Sequence, residues 1–121
     1  MFRDDVPPPG ERRAGARKRV LLAGVVTYRE GVFAFNCRIA DLTATGARLV
    51  VGEGENLPAD FYLIAVKGAA AYTAHLAWRR DGEAGVALGA PIDLRHVPDS
   101  KYAYLARIWA SRNTANPSHR R

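Results

Sequence analysis

A single cysteine, Cys37, is all that the 121 residues offer. No disulfide can form within the chain, and no cysteine-based zinc cluster can be built. Cys37 sits in an alternating apolar run, the setting of a small core side chain in a reducing compartment, so a cytoplasmic location is expected. Histidine is nearly as scarce. His75, His96 and His119 are far apart, with no i, i+4 pair and no carboxylate at ligand spacing, so no metal site is expected. Long apolar runs are missing too: Val20 to Val26 falls far short of the roughly 20 residues that cross a bilayer. Met1 to Gly10 lacks the apolar stretch of a signal peptide, and neither membrane insertion nor secretion is expected. Ser100 and Ser111 stand in no nucleophile motif, and no GK[ST] follows Gly52-Glu53-Gly54 to make a phosphate loop. The expectation is a protein that is not an enzyme and carries no cofactor.

What is present is a balanced globular composition, 48% hydrophobic and 25% charged. At this length the chain fits one core. The net charge of +6 is unevenly placed: residues 20–111 hold nine basic and nine acidic groups, whereas residues 1–19 hold six basic against three acidic. Arg112, Arg120 and Arg121 supply the rest. Any anion this protein meets is therefore met by its ends.

Residues 1–19, with Pro7, Pro8, Pro9, Gly10 and Gly15, read as a mobile basic arm, and residues 113–121 as a disordered basic tail. Between them, residues 20–112 carry strand signals at regular spacing. Val20 to Tyr28 is followed by the turn Arg29-Glu30-Gly31. In Val32 to Ala40, Phe33, Phe35, Cys37 and Ile39 fall on one face. Ala47 to Val51 is a short strand, and Phe61 to Val66, apolar on both faces, reads as a central one. Ala70 to Arg80 places Tyr72, Ala74, Leu76 and Trp78 in one phase, the phase of the core. Asp81-Gly82 then signals a hairpin into Gly85 to Gly89. The pattern predicts an all-β dominated fold, a small six-stranded antiparallel barrel. Pro98, Asp99 and Ser100 start a C-terminal helix whose face Tyr102, Leu105, Ala106 and Trp109 is expected to plug or cap one barrel end.

Two short motifs remain. Arg13-Ala14-Gly15-Ala16-Arg17 is an RxxxR flanked by Arg12, Lys18 and Arg19; Asp41-Leu42-Thr43-Ala44-Thr45-Gly46 is a DxTxxG. The arginines end the arm where the first strand begins, and the second motif ends the neighbouring strand, so an antiparallel pairing brings both to one end of the sheet. Arginine grips phosphate oxygens bidentately, pairs with guanine O6 and N7, or lies flat on a purine. A carboxylate such as Asp41 accepts from a guanine N1-H and N2-H edge, Thr43 adds a hydroxyl, and Gly46 allows close backbone approach.

These residues resemble the PilZ domain family, whose hallmark is an RxxxR arm followed by [D/N]xSxxG. The likeness extends to Gly46 to Leu49, to the hairpin Leu76 to Leu88 and to the terminal helix. It implies a PilZ-like barrel that binds the bacterial second messenger cyclic di-GMP through Arg13, Arg17, Asp41, Thr43 and Gly46. Arg12 and Trp78 are candidates for secondary contacts, Trp78 by stacking a base, although its phase with Leu76 favours the core. Thr43 stands where the family usually has serine; it keeps the hydroxyl and adds a methyl group. The implied role is that of a receptor or adaptor in which ligand binding orders the arm and alters a contact with a downstream protein, which the sequence leaves unknown. Two other readings stay open: a PilZ-like interaction module that has lost its ligand, and a small barrel binding RNA or DNA through its basic ends. A nucleic-acid polymer is the less expected partner, because the body is neutral and most aromatics fall in core phase.

Overall fold

In the computed structural model, which describes residues 21–114, alternation of apolar and polar side chains governs the strands. The elements are β1 (Leu22–Tyr28), β2 (Phe33–Leu42), β3 (Gly46–Val50), β4 (Asp60–Ala65), β5 (Ala70–Arg80), β6 (Glu83–Leu88) and β7 (Ile92–Asp93). A 3₁₀ turn, Ser100–Tyr102, leads into the helix α1, Ala103–Thr114. The antiparallel order is β4-β1-β2-β3-β6-β5, and pairing of β4 with β5 closes the sheet into a six-stranded barrel. The fold is mostly β, with one C-terminal helix. The two-residue β7, which sequence signals missed, pairs Ile92 with Ala71 beside the start of β5.

Each strand sends alternate residues inward. Val26, Cys37, Ile39, Leu49, Leu63 and Val86 fill the interior, all buried. On one side of the barrel the outward residues are apolar as well: Val25 lies opposite Ile64, and Ile64 opposite Ala71. That stripe demands a cover. α1 supplies it with Leu105, fully buried, and with Tyr104, Ile108 and Trp109 packed around it. The helix therefore lies on the outer wall over β1, β4 and β5, and does not cap a barrel end as the sequence reading has it. The wall apolar on both faces decides this, because Val25, Ile64 and Ala71 would otherwise face water. Trp109 Nε1 donates to the Val66 carbonyl oxygen at 2.8 Å and pins the helix to the end of β4. At its start, Asp99 accepts from the Lys101 amide at 3.0 Å, capping the first turn.

Two expected core positions lie elsewhere. Phe33 is 44% exposed and stacks on Tyr28 at 5.0 Å, because it sits at the mouth where β1 turns into β2. Trp78 is turned outward by a bulge: β5 pairs Leu76 with Val86 but Trp78 with Gly85, so one extra residue on β5 reverses the phase of everything after it. Truncating Leu105 to alanine removes the centre of the outer core and should cost about 2–5 kcal/mol in urea unfolding, while far-UV dichroism of the folded state keeps its β signature.

Candidate functional site

β2 and β3 are joined by the DxTxxG segment, and its residue types explain its shape. The Thr43 amide donates to the Gly46 carbonyl oxygen at 2.9 Å, closing a tight turn. The Thr43 hydroxyl donates to the same oxygen at 3.2 Å and accepts from the amides of Gly46 at 3.1 Å and Thr45 at 3.4 Å. The hydroxyl proton and both lone pairs are thus used inside the turn. Leu88 ties the turn to the end of β6 by donating to the Thr45 carbonyl oxygen at 2.9 Å. Gly46 answers a close approach: a Cβ there would sit 3.1 Å from the Val86 carbonyl oxygen.

Register sets what lies beside the turn. Asp41 is opposite Arg48, Arg48 opposite Gly85, and Gly85 opposite Trp78, a row across four strands on the outer wall. Arg48 Nε donates to Asp41 Oδ2 at 2.8 Å, and another guanidinium nitrogen, Nη1, donates to Glu83 Oε2 at 3.1 Å. Hydrogen bonding to Asp41, more than any other influence, raises the affinity of Arg48 for its proton. The Asp41 side chain stays 60% exposed, with Oδ1 turned to no described partner, so its carboxylate is still open to a donor from outside. Farther along, the indole of Trp78 lies against Gly85, where any Cβ would run into it. The Arg80 guanidinium sits 5.1 Å from the Trp78 ring centre. Trp78 is 37% exposed, but one face of its ring is taken by a cation.

The adjoining row holds Arg38, opposite Val50 on β3. Next to it a recess of about 520 Å3 is lined by Ala23, Asn36, Arg38, Val50, Val66 and Arg112. Arg112 reaches it from the helix and donates to Asn36 Oδ1 at 2.9 Å. The arrangement is a wall bearing Arg38, Arg48 and Arg112 with an apolar floor, bounded by the partly exposed carboxylates of Asp41 and Glu83, both held by Arg48, and it suits an anion with flat apolar parts.

Thr43 and Gly46 close one turn with Asp41 beside it at the end of β2, and Trp78 lies two strands away on the same wall. Arg12, Arg13 and Arg17 lie outside the described residues. The first described residues lead into Leu22, opposite Ile39 on β2 and so near Asp41. Arg48, Arg38 and Arg112 were missed by sequence reading. Arg48 had a signal, since a two-residue hairpin tip between Thr43 and Gly46 places it across from Asp41; Arg112 had none, because 76 residues separate it from Asn36.

Cys37 lines the barrel interior, and burial pushes its thiol from 9.0 up to about 12, opposed in small part by Arg38. Among the described residues no group of three or more His, Cys, Asp or Glu side chains could hold a metal ion. Comparison of the chain with family models, with curated proteins and with solved structures gives no match.

Replacing Gly85 by alanine should expel the Trp78 indole from its seat. A red-shifted fluorescence contribution from Trp78, with Trp109 unchanged in a Trp78→Phe control, is the expected reading. Because the folded protein holds Cys37 protonated, that contribution to stability is intact below pH 9.0 and is lost as pH rises towards about 12. Iodoacetamide at pH 8 should accordingly leave the folded chain unmodified and alkylate it in denaturant.

Proposed function

We propose that the chain is a PilZ-type receptor for cyclic di-GMP, acting by binding and not by catalysis. The observation that carries the reading is the Thr43–Gly46 turn with Asp41 beside it, on a wall bearing Arg38 and Arg48, at the end of the sheet where β1 begins. Arg17 precedes Leu21 by only four residues in the sequence.

The division of labour follows from chemistry. Arg13 and Arg17, with Arg12 beside them, grip the two phosphates. Asp41 offers Oδ1 to a guanine edge, and full bidentate contact with N1-H and N2-H requires Arg48 Nε to share or release Oδ2. Thr43, satisfied within the turn, shapes the site, and Gly46 keeps it open. A purine stacking on Trp78 displaces Arg80 or packs beside it. Ordering the five residues from Arg13 to Arg17 costs about 5–10 kcal/mol, whereas two charge-assisted contacts return only about 3–6 kcal/mol. Base stacking, worth about 1–3 kcal/mol per base, has to supply the remainder. The arm closed over the ligand would present a new surface to a protein partner.

The internal satisfaction of Thr43 favours one second reading, an interaction module without ligand, since its hydroxyl proton and lone pairs are all used within the turn and Asp41 already has one oxygen on Arg48.

Calorimetry with cyclic di-GMP decides between them. The receptor binds, and Arg17→Ala and Asp41→Ala each weaken binding by about tenfold or more. Protease cleavage within residues 1–19 slows as ligand saturates. A wild-type chain that releases no heat at millimolar cyclic di-GMP is the module instead.

A further inference from the structure

A second recess, of about 440 Å3, shares no residue with the wall just described. It opens between the β1–β2 turn and the start of α1, and Arg29, Glu30, Asp60, Tyr62, Thr73 and Tyr104 contribute to its lining. Register explains the floor: Tyr62 lies between Thr27 on β1 and Thr73 on β5, one step along the outer wall from the stripe that the helix covers. Tyr62 is held from behind by Tyr102, edge-on at 6.3 Å and 77°. Opposite, Tyr104 rises from the helix and touches the turn so closely that a Cβ on Gly31 would sit 3.2 Å from its ring.

The charges are arranged unequally. Arg29 lines the rim, but its guanidinium lies 5.8 Å from the centre of the Phe33 ring, and Phe33 does not line this recess. The nearby Lys101 is likewise engaged, its ammonium 5.2 Å from the Tyr102 ring. Asp60 has His75 at 2.9 Å on its Oδ1. Glu30 makes no described ion pair. Two carboxylates and two phenol rings therefore line a space in which the one lining cation among the described residues, Arg29, has its guanidinium over a ring outside it. Tyr104 registers that environment: burial first, then the charges of Tyr62, Glu30 and Tyr102, disfavour its ionisation.

Arg29 and Glu30 adopt φ of 55° and 54° at the tip of the β1–β2 hairpin, the left-handed geometry that tight hairpin turns require and that Ala69 and Asp81 share at the β4–β5 and β5–β6 turns. The turn places both residues on the lining of the recess, across from Tyr104.

We propose that this recess is a binding site for an organic cation, an alkylammonium group seated on the rings of Tyr62 and Tyr104 with Glu30 and Asp60 as counter-charges. Aromatic faces backed by carboxylates are the recognised chemistry for such groups. The cation can be a free amine or a lysine side chain presented by another protein.

Both sources are testable on the full chain by following the Tyr62 and Tyr104 ring protons in NMR spectra. The probes are putrescine, the peptide N-acetyl-Gly-Lys-Gly-amide, and 1,4-butanediol as a neutral control. At least one cation should shift the ring signals saturably while the diol does not. Glu30→Gln should weaken that response by about fivefold, and Tyr104→Leu should abolish it. Glu30→Gln removes only a charge at an exposed turn, so it reports even if Tyr104→Leu perturbs the helix. Saturation by putrescine alone identifies a free amine as the source, and saturation by the peptide alone identifies a protein side chain. No saturation by either cation, an equal response to the diol, or indifference to Glu30→Gln overturns the proposal.

Discussion

The pairing of β4 with β5 governs the rest of this molecule. Once those strands join, the sheet has an inside that must be apolar throughout, and every residue of opposite phase is committed to the outer wall. The wall then divides. Over β1, β4 and β5 it is apolar and is covered by α1; over β2, β3 and β6 it carries Arg38, Asp41, Arg48 and Glu83 and faces solvent. A helix on one half of a barrel leaves the other half free for a ligand, and the polar row is where the proposed receptor chemistry resides.

The DxTxxG turn illustrates how a short motif can serve structure before it serves binding. Thr43 replaces a backbone carbonyl as acceptor for the Gly46 amide, which lets a very tight connection form without strain. Gly46 relieves a close approach, because a Cβ there would crowd the Val86 carbonyl oxygen. Asp41, outside the turn proper, is oriented by Arg48 from the paired strand. The motif's rigidity therefore comes from its own atoms, and an incoming ligand would meet a preformed edge.

Much of this was legible in the residues. Period-2 alternation found the six barrel strands, and the capping signals at Asp99 and Ser100 found the helix. The pairing of consecutive strands placed DxTxxG at the end of the sheet where β1 begins, as the register has it. What could not be read had local or long-range causes. Alternation says which residues share a face but not where the count slips, so the bulge before Trp78 was invisible. The helix was found but misplaced, because the apolar outward stripe Val25, Ile64 and Ala71 is assembled from three strands and exists only after the barrel closes. Arg112 meets Asn36 across 76 residues for the same reason. The arginines of RxxxR belong to residues outside those described, and their part rests on sequence and chemistry.

The bulge in β5 also has a consequence for how this surface can vary. One surplus residue converts a strand that feeds the interior at Ala74 and Leu76 into one that displays its aromatic ring at position 78. Removing that surplus residue would leave Trp78 directly after Leu76, still opposite Gly85 and still outside; only straightening the strand with the residue kept would withdraw the indole into the lumen. The bulge, and not the plain alternation of residue types, sets which side chains of the far half meet solvent.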